Sequence, residues 1–455
     1  MKKVRVGAGQ GFWGDSPFPA LDMVKYGNIQ YLSCDALAEL TLAILQKQRK
    51  RDPSRGYVWD LIPLLQLVLP VCREKKIKIL TNAGGINPAG AAFAVCELAR
   101  RLGLQGLKVA VVTGDDILPR LAELLEKGVS LANMETGEEL AEIQERILFA
   151  NVYLGARPLV EALERGADIV LAGRTADPAQ FLAPMIFELG WGWEDWDRLA
   201  AGTVLGHLME CSAQSTGGNF GGDWWNIPGM ERIGYPVAEV YENGEAILTK
   251  PEGTGGRVEV ETVKEQLLYE VHDPSAYVTP DVIADFTSLR LENAGPDQVR
   301  ITGVRGRPRP ALLKASIGYQ DGFLGEGTIF YSWPDALAKA RRAEEILRRQ
   351  FAASGLKFEE IHAEYIGYNA LAGPLAWEPG EELNEVALRL AVRTKSEQEA
   401  AKVPRFFPPL ALDGPPGATG SGGTPRPREL IGLWPALVPR EEVEPHLKVE
   451  ILEVK

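Results

Sequence analysis

The sequence predicts an α/β fold, with a doubly wound, mostly parallel sheet in the N-terminal half and a second, α+β lobe after it. In the first half, six short apolar runs alternate with stretches whose apolar residues recur at helical spacing. After about residue 200, glycine and tryptophan become frequent and strand-like runs occur in pairs. We therefore expect an α/β ligand-binding domain over residues 1–230 and an α+β domain over residues 231–455.

The elements of the first half can be placed in order. Strands are predicted over residues 3–8, 29–34, 77–81, 108–112, 147–154 and 167–172. Helices are predicted over residues 37–51, 89–101 and 119–126. The apolar stretch at 57–72 is interrupted by polar residues and prolines and is too short to cross a bilayer, so it predicts a buried helix.

The second half favours antiparallel pairing. Asn243-Gly244 between two strand-like runs predicts a hairpin. Further strands are predicted over residues 298–304, 311–317, 327–331, 359–367 and 386–393, with a helix over 336–349. The Gly/Pro-rich segment at 412–427 predicts turns or a mobile loop, although its backbone at 420–423 could instead present N–H groups to an anion.

Composition excludes several classes of protein. The net charge is −13 and no basic run offsets it, which argues against nucleic-acid binding and against a polybasic membrane patch. The four cysteines lie far apart in the sequence, so we do not expect a structural zinc site. The same spacing fits a protein of a reducing compartment. The N-terminus has no apolar signal region. These features predict a cytoplasmic protein.

A glycine-rich loop at residues 7–16 follows the first strand, where open parallel sheets bind ligands. The residues predicted to contact substrate there are Gly9, Gln10, Gly11 and Trp13. With Gly14 and with Asp35 about 20 residues on, the loop also fits a dinucleotide fingerprint. The bulky Phe12 and the charge of Asp15 suit a pyrophosphate poorly. A turn-only role for the glycines stays open, and no cofactor is assigned.

Two more loops follow the third and fourth strands. In the loop at 81–88 the residues predicted to bind substrate are Asn82, Gly84, Gly85 and Asn87, although this loop could serve only as a turn. In the loop at 113–116, Asp115 is predicted to act in catalysis as a base. Asp115 and Asp116 could instead bind Mg²⁺ or cap the following helix.

The loop at 173–180 follows the sixth strand and places Arg174 where that strand ends. An arginine at this position suits bidentate capture of a carboxylate or phosphate, and Asp177 is expected beside it. A plain surface pair between Arg174 and Asp177 is the alternative. We predict that both residues contact substrate.

The segment at 207–225 is the richest in functional side chains. His207 and Glu210 are three residues apart, so on a helix they would share a face and could act as an acid–base pair. The residues predicted to bind substrate beside them are Gln214, Ser215, Thr216, Gly217 and Gly218. Cys211 could be a nucleophile if its pKa were lowered, but a buried cysteine is commoner. A satisfied, half-buried histidine is the alternative role for His207.

Six motifs, taken together, carry a resemblance to a known family. They are GAGQGFWGDSP, TNAGGINP, VVTGDD, GRTADPA, ECSAQSTGG and the stretch at residues 250–282. With these motifs the chain resembles the acyclic terpene utilisation AtuA-like family from residue 3 to about residue 395. The resemblance implies catabolism of acyclic terpenes and branched carboxylates, in which intermediates travel as coenzyme A thioesters. It also implies a small ferredoxin-fold partner protein.

We therefore expect a catabolic enzyme that acts on a small carboxylate or acyl-CoA by lyase or hydratase-like acid–base chemistry. In this hypothesis His207, Glu210 and Asp115 are catalytic, and the protein is a homo-oligomer. One alternative is a non-catalytic or partner-dependent subunit of such an enzyme. A further alternative is an NAD-dependent oxidoreductase.

Overall fold

The structure of the chain is a computed structural model that describes residues 2–420 and 425–455. Its strands are β1 (Lys3–Gln10), β2 (Tyr31–Cys34), β3 (Lys78–Thr81), β4 (Lys108–Thr113), β5 (Ile147–Val152), β6 (Ile169–Ala172), β7 (Val237–Tyr241), β8 (Ala246–Thr249), β9 (Tyr277–Val278), β10 (Ile283–Asp285), β11 (Arg290–Gly295), β12 (Gln298–Thr302), β13 (Arg305–Arg307), β14 (Leu312–Ser332), β15 (Glu360–Ile366), β16 (Glu385–Thr394), β17 (Ala418–Gly420), β18 (Arg428–Pro439) and β19 (Lys448–Glu453). The helices are α1 (Phe18–Tyr26), α2 (Glu39–Arg51), α3 (Leu61–Lys75), α4 (Pro88–Arg101), α5 (Leu121–Glu126), α6 (Arg157–Glu164), α7 (Ala179–Leu189), α8 (Trp196–Glu210), α9 (Val260–Leu268), α10 (Ala336–Ala353), α11 (Glu397–Ala400) and α12 (Leu410–Asp413). The predicted α/β class is confirmed.

The described chain forms two compact units. The first comprises the described residues up to Gly318 together with Leu433–Lys455, and the second is the described part of Tyr319–Gly432. The division differs from the one expected at residue 230, because β7 and β8 pair with β1 and extend the sheet of the first unit. Of the Gly/Pro-rich segment, residues 421–423, whose backbone was considered as an anion site, lie outside the described residues.

The main sheet of the first unit has, within the described residues, the strand order β11-β12-β8-β7-β1-β2-β3-β6-β4-β19. The central strands, β1 to β4 and β6, pair in parallel. Nearly every residue of these strands is buried, which requires cover on both faces of the sheet. Helices α1, α4, α6, α7 and α8 contact this sheet. The carboxyl ends of the parallel strands therefore lie along one edge, beside the polar loops.

The hairpin predicted at Asn243-Gly244 is present, because β7 and β8 pair antiparallel around it. Two expectations about strands were wrong. The run at 147–154 was expected in the parallel sheet, but β5 pairs with β14. The strands predicted over 311–317 and 327–331 are one continuous strand, β14. Pairing partners far apart in sequence decide both outcomes, and local apolar patterns do not encode them.

The second unit is an antiparallel sheet with one long helix. Strand β16 lies between β15 and β14, and β17 pairs with β14 on its other side. The apolar face of α10 packs on β16. The core of this unit includes Ile329, Leu347, Leu388 and Phe407. A small three-stranded sheet, β13-β10-β9, belongs to the first unit. No helix among the described residues has the length and apolar character needed to cross a membrane.

Candidate functional site

His207 and Glu210 lie in the last turn of α8, and both are buried. Their three-residue spacing puts them on one face of the helix, and Nδ1 of His207 lies 2.9 Å from Oε1 of Glu210. On the other side of the ring, Nε2 lies 2.9 Å from the main-chain oxygen of Gln266 on α9. The rings of Tyr277 and Phe286 pack against the imidazole, each with centroids 5.4 Å away.

The hydrogen bonds fix the protons of this pair. A main-chain oxygen only accepts, so Nε2–H of His207 donates to Gln266 and Nδ1 is left as the acceptor. Burial lowers the pKa of His207 to about 4. Burial, together with the negative charges of Asp177 and Glu270, raises the pKa of Glu210 well above its usual value. Both shifts favour the uncharged forms, a neutral imidazole and a carboxylic acid that share one hydrogen bond.

Arg174 and Asp177 form a second pair in the loop that follows β6. Nη2 of Arg174 lies 2.6 Å from Oδ1 of Asp177, and Nη1 donates to the main-chain oxygen of Leu37. The guanidinium carbon also lies 4.2 Å from the ring centroid of Tyr153. Arg174 is 1% exposed, so its charge is sealed beneath these groups. Burial raises the pKa of Asp177, and Arg174 opposes that rise.

Glu39, at the start of α2, links this pair to strand β14. It accepts a hydrogen bond from the hydroxyl of Tyr153, and its Oε1 lies 3.7 Å from Nζ of Lys314. Burial opposes ionisation of Glu39, but Arg174, Tyr153 and Lys314 together lower its pKa. Glu39 is therefore an ionised carboxylate at neutral pH.

These groups meet at a cleft of about 870 Å³ in the first unit. The polar residues that line it include Glu39, Tyr153, Asp177, His207, Glu210, Glu270 and Lys314. The apolar residues that line it include Met134, Val278, Pro280, Leu312, Leu313 and Leu437. Of these, Met134, Val278, Leu312 and Leu437 are among the exposed large apolar side chains of the protein. The cleft suits a ligand with one polar end and an apolar body.

Glu210 also offers an unused hydrogen-bonding atom at this cleft. Its Oε2 is buried and, within residues 2–420 and 425–455, has no hydrogen-bond partner. Buried polar atoms normally have partners, and an orphan at a cleft is a place where a ligand can supply one. Glu210 can therefore hold His207 through Oε1 and meet a bound molecule through Oε2.

The glycine-rich loop at 7–16 lies outside this cleft. Its N–H groups are occupied by carboxylates of the protein: Gly11 donates to Asp15 at 2.9 Å and Gly14 donates to Asp60 at 2.7 Å. Gln10 also donates to Asp60. Gly9 is packed closely against Cys34, and Trp13 is half-buried. Where a dinucleotide phosphate would bind, the loop already holds negative charge.

Asp115 is a buried acceptor beneath Arg174. Its Oδ2 receives the main-chain N–H of Arg174 and the side-chain amide of Asn151, both at 2.8 Å. Burial raises its pKa to about 6. Asp116, not Asp115, receives the N–H of Leu118 at the start of the next helical turn. Asp115 is absent from the cleft wall, so its position fits support of the loop that carries Arg174.

The remaining predicted residues support the backbone in their own loops. Asn82 accepts the N–H of Ala36 at 2.7 Å and donates to Asp35, and Asn87 caps α4. Gly84 lies against the main chain at Ala172, and Gly85 has a positive φ of 56°. Beyond α8, Ser215 and Thr216 donate to main-chain oxygens and Gln214 accepts from Asn219. In the turn that follows, Gly217 has a φ of 99° and Gly218 packs against Ala213.

The structure thus brings together fewer of the predicted residues than expected. Of the side chains predicted from sequence, those that line the cleft are Asp177, His207 and Glu210. Sequence reasoning missed Glu39, Tyr153, Glu270 and Lys314. Glu39 could have been found, because it begins the helix after the second strand. Tyr153 and Lys314 come together through the pairing of β5 with β14. Local sequence patterns do not predict this pairing.

Two other chemistries have no support in the side chains. Within the described residues no group of three or more His, Cys, Asp or Glu side chains is arranged to hold a metal ion. Burial raises the pKa of Cys211 to about 12, so this thiol stays protonated at neutral pH and is a poor nucleophile.

Comparison with known proteins agrees with the resemblance seen in the motifs. No curated protein and no solved structure gives a significant match to the chain. The sequence model described as "Acyclic terpene utilisation family protein AtuA" matches residues 4–449, which is nearly the whole chain. The protein therefore belongs to the acyclic terpene utilisation family.

Proposed function

We propose that this protein is a catabolic enzyme that acts on a small, branched carboxylate or its acyl-CoA thioester, by lyase or hydratase-like acid–base chemistry. Membership in the acyclic terpene utilisation family supports the catabolic role. The buried pair of His207 and Glu210 at the wall of the cleft carries the chemical part of the proposal.

The pair is suited to moving one proton. Oε2 of Glu210 accepts a proton from the substrate while the acid proton on Oε1 passes to Nδ1 of His207. The imidazolium that forms then returns its proton to Oε1, and Oε2 delivers its proton to the product or to water, which restores the starting pair. Gln266 keeps the ring oriented throughout, because its main-chain oxygen holds Nε2–H.

The test is a mass-spectrometric screen of the purified protein against free branched carboxylates, hydroxy acids and acyl-CoA thioesters. Glu210→Gln keeps a hydrogen bond to Nδ1 but carries no transferable proton, so we expect turnover to fall at least about 100-fold. We expect His207→Ala to lower turnover by a similar factor. His446→Ala, outside the cleft, is the control and keeps full turnover.

Full turnover by both Glu210→Gln and His207→Ala would remove the acid–base assignment. Turnover that appears only after a small partner protein is added would favour a partner-dependent subunit. The occupied N–H groups of the loop at 7–16 are the reason that a dinucleotide does not enter the proposal.

A further inference from the structure

Lys314 is the cation that the cleft leaves accessible. Among the described residues that line the cleft, it is the lone lysine or arginine. The carboxyl groups that line the same cleft belong to Glu39, Asp177, Glu210, Glu270 and Asp273. Its side chain is 47% exposed. A negatively charged substrate that enters this cleft therefore meets one accessible ammonium group on the wall.

Arg174, the residue that the sequence suggested for anion capture, is closed to a ligand. One terminal nitrogen is held by Asp177 and the other by the main-chain oxygen of Leu37. The ring of Tyr153 lies 4.2 Å from the guanidinium carbon. A ligand would have to displace these groups from a buried charge, which is costly.

The present contacts of Lys314 are loose and can be exchanged. Its Nζ lies 3.7 Å from Oε1 of Glu39 and 4.9 Å from the ring centroid of Tyr153. Glu39 also accepts the hydroxyl of Tyr153, so it keeps a partner if Lys314 turns away. A substrate carboxylate can take the ammonium group without leaving a buried charge unpaired.

The strand that carries Lys314 also carries apolar cleft wall. Leu312 is two residues earlier on β14, and alternate residues of a strand lie on the same side. Both residues line the cleft, with Met134 and Leu437 among the other apolar neighbours. An ionic group and an apolar surface thus lie side by side, as an amphipathic anion requires.

We propose that Lys314 is the residue that binds the negatively charged group of a substrate whose aliphatic body lies on Leu312, Met134 and Leu437. The ligand class is an amphipathic carboxylate. This inference rests on the proposed function in one respect, because it takes the same cleft as the substrate site.

The experiment compares octanoate with octan-1-ol, which has the same chain without the charge, by isothermal titration calorimetry on the full chain. Wild type is expected to bind octanoate at least about tenfold more tightly than octan-1-ol. Lys314→Met should weaken octanoate about tenfold and leave octan-1-ol unchanged, and Lys314→Arg should retain most of the preference. The matched control is Lys3→Met, whose side chain is 52% exposed and paired with Glu239 but lies outside the cleft.

Three outcomes overturn the proposal. The first is that wild type shows no preference for octanoate, which includes no detectable binding at millimolar concentration. The others are that Lys314→Met binds octanoate as tightly as wild type does, or that it binds both ligands equally more weakly, which would mean that the side chain only shapes the cleft. The test is separable from that of the proposed function. Unimpaired turnover in His207→Ala would refute the acid–base role, whereas the ligand comparison would still decide the role of Lys314.

Discussion

The guanidinium of Arg174 lies wholly inside the protein, yet Asp177, its partner at 2.6 Å, lines the cleft. A buried positive charge therefore stabilises the ionised form of a carboxylate that lines the cleft. The same charge opposes the rise in pKa that burial causes at Asp177 and Asp35. Removing the charge of Arg174 should therefore lower the free energy of unfolding and also change how this free energy depends on pH.

We expect Arg174→Met to lower the free energy of unfolding by about 3–5 kcal/mol, as for other broken buried pairs. Without Arg174, the folded-state pKa values of Asp177 and Asp35 rise further. Folded protein then holds protons that unfolded protein has released, so the stability of the variant falls as pH rises above the unfolded pKa near 4. Urea unfolding at pH 5 and pH 8 should show the larger deficit at pH 8. An equal deficit at both values would contradict the coupling.

Asp115 gives a contrasting prediction. Its folded-state pKa of about 6 lies above the unfolded value, so its contribution to stability is lost as pH rises through about 6. Asp115→Asn keeps an oxygen for the N–H of Arg174 and for Asn151 and removes the titration, so relative to wild type it should gain stability between pH 4 and 7. Asp115→Ala should lose about 1–3 kcal/mol for each buried donor left without an acceptor. Thermal melts of the two variants across this pH range check both statements.

The protonation of His207 can be observed directly. We expect the ¹⁵N spectrum of the histidine side chains to show a neutral ring protonated at Nε2 at pH 7, with a pKa of about 4. The spectrum of His207→Ala identifies the signals. An imidazolium signal from His207 at pH 6 would be incompatible with the neutral pair.

Gly11, in the loop that follows β1, packs closely against Glu210 and Ser212 at the end of α8. A Cβ at this position would meet the hydroxyl of Ser212 and would lie 2.7 Å from the main-chain oxygen of Glu210. We expect Gly11→Ala to cost about 1–3 kcal/mol of stability through this overpacking. Gly192→Ala is the control, because its nearest neighbour, in Asp195, lies at an ordinary 3.4 Å. Equal melting temperatures for the two variants would refute the close packing.

The fold was largely predictable because its parallel strands and helices are local, strongly patterned segments. The helix predicted over 89–101 begins at Pro88 and ends at Arg101, as the proline and the apolar period indicate. The pair of His207 and Glu210 followed from helical spacing alone. The contact between Lys314 and Tyr153 could not be predicted in this way, because it depends on two strands about 160 residues apart in sequence. The sequence also could not show that the distant Asp60 accepts the N–H of Gly14 in the loop at 7–16.

Strand β19 has a consequence for how the chain is made. It pairs antiparallel with β4, so the main sheet of the first unit includes a strand formed by residues near position 450. The backbone groups of β4 on that side stay unpaired until residues 448–453 have been synthesised. Completion of the sheet therefore waits for β19, and a ribosome-bound nascent chain that lacks β19 would expose an open strand edge that favours association with chaperones or with other chains.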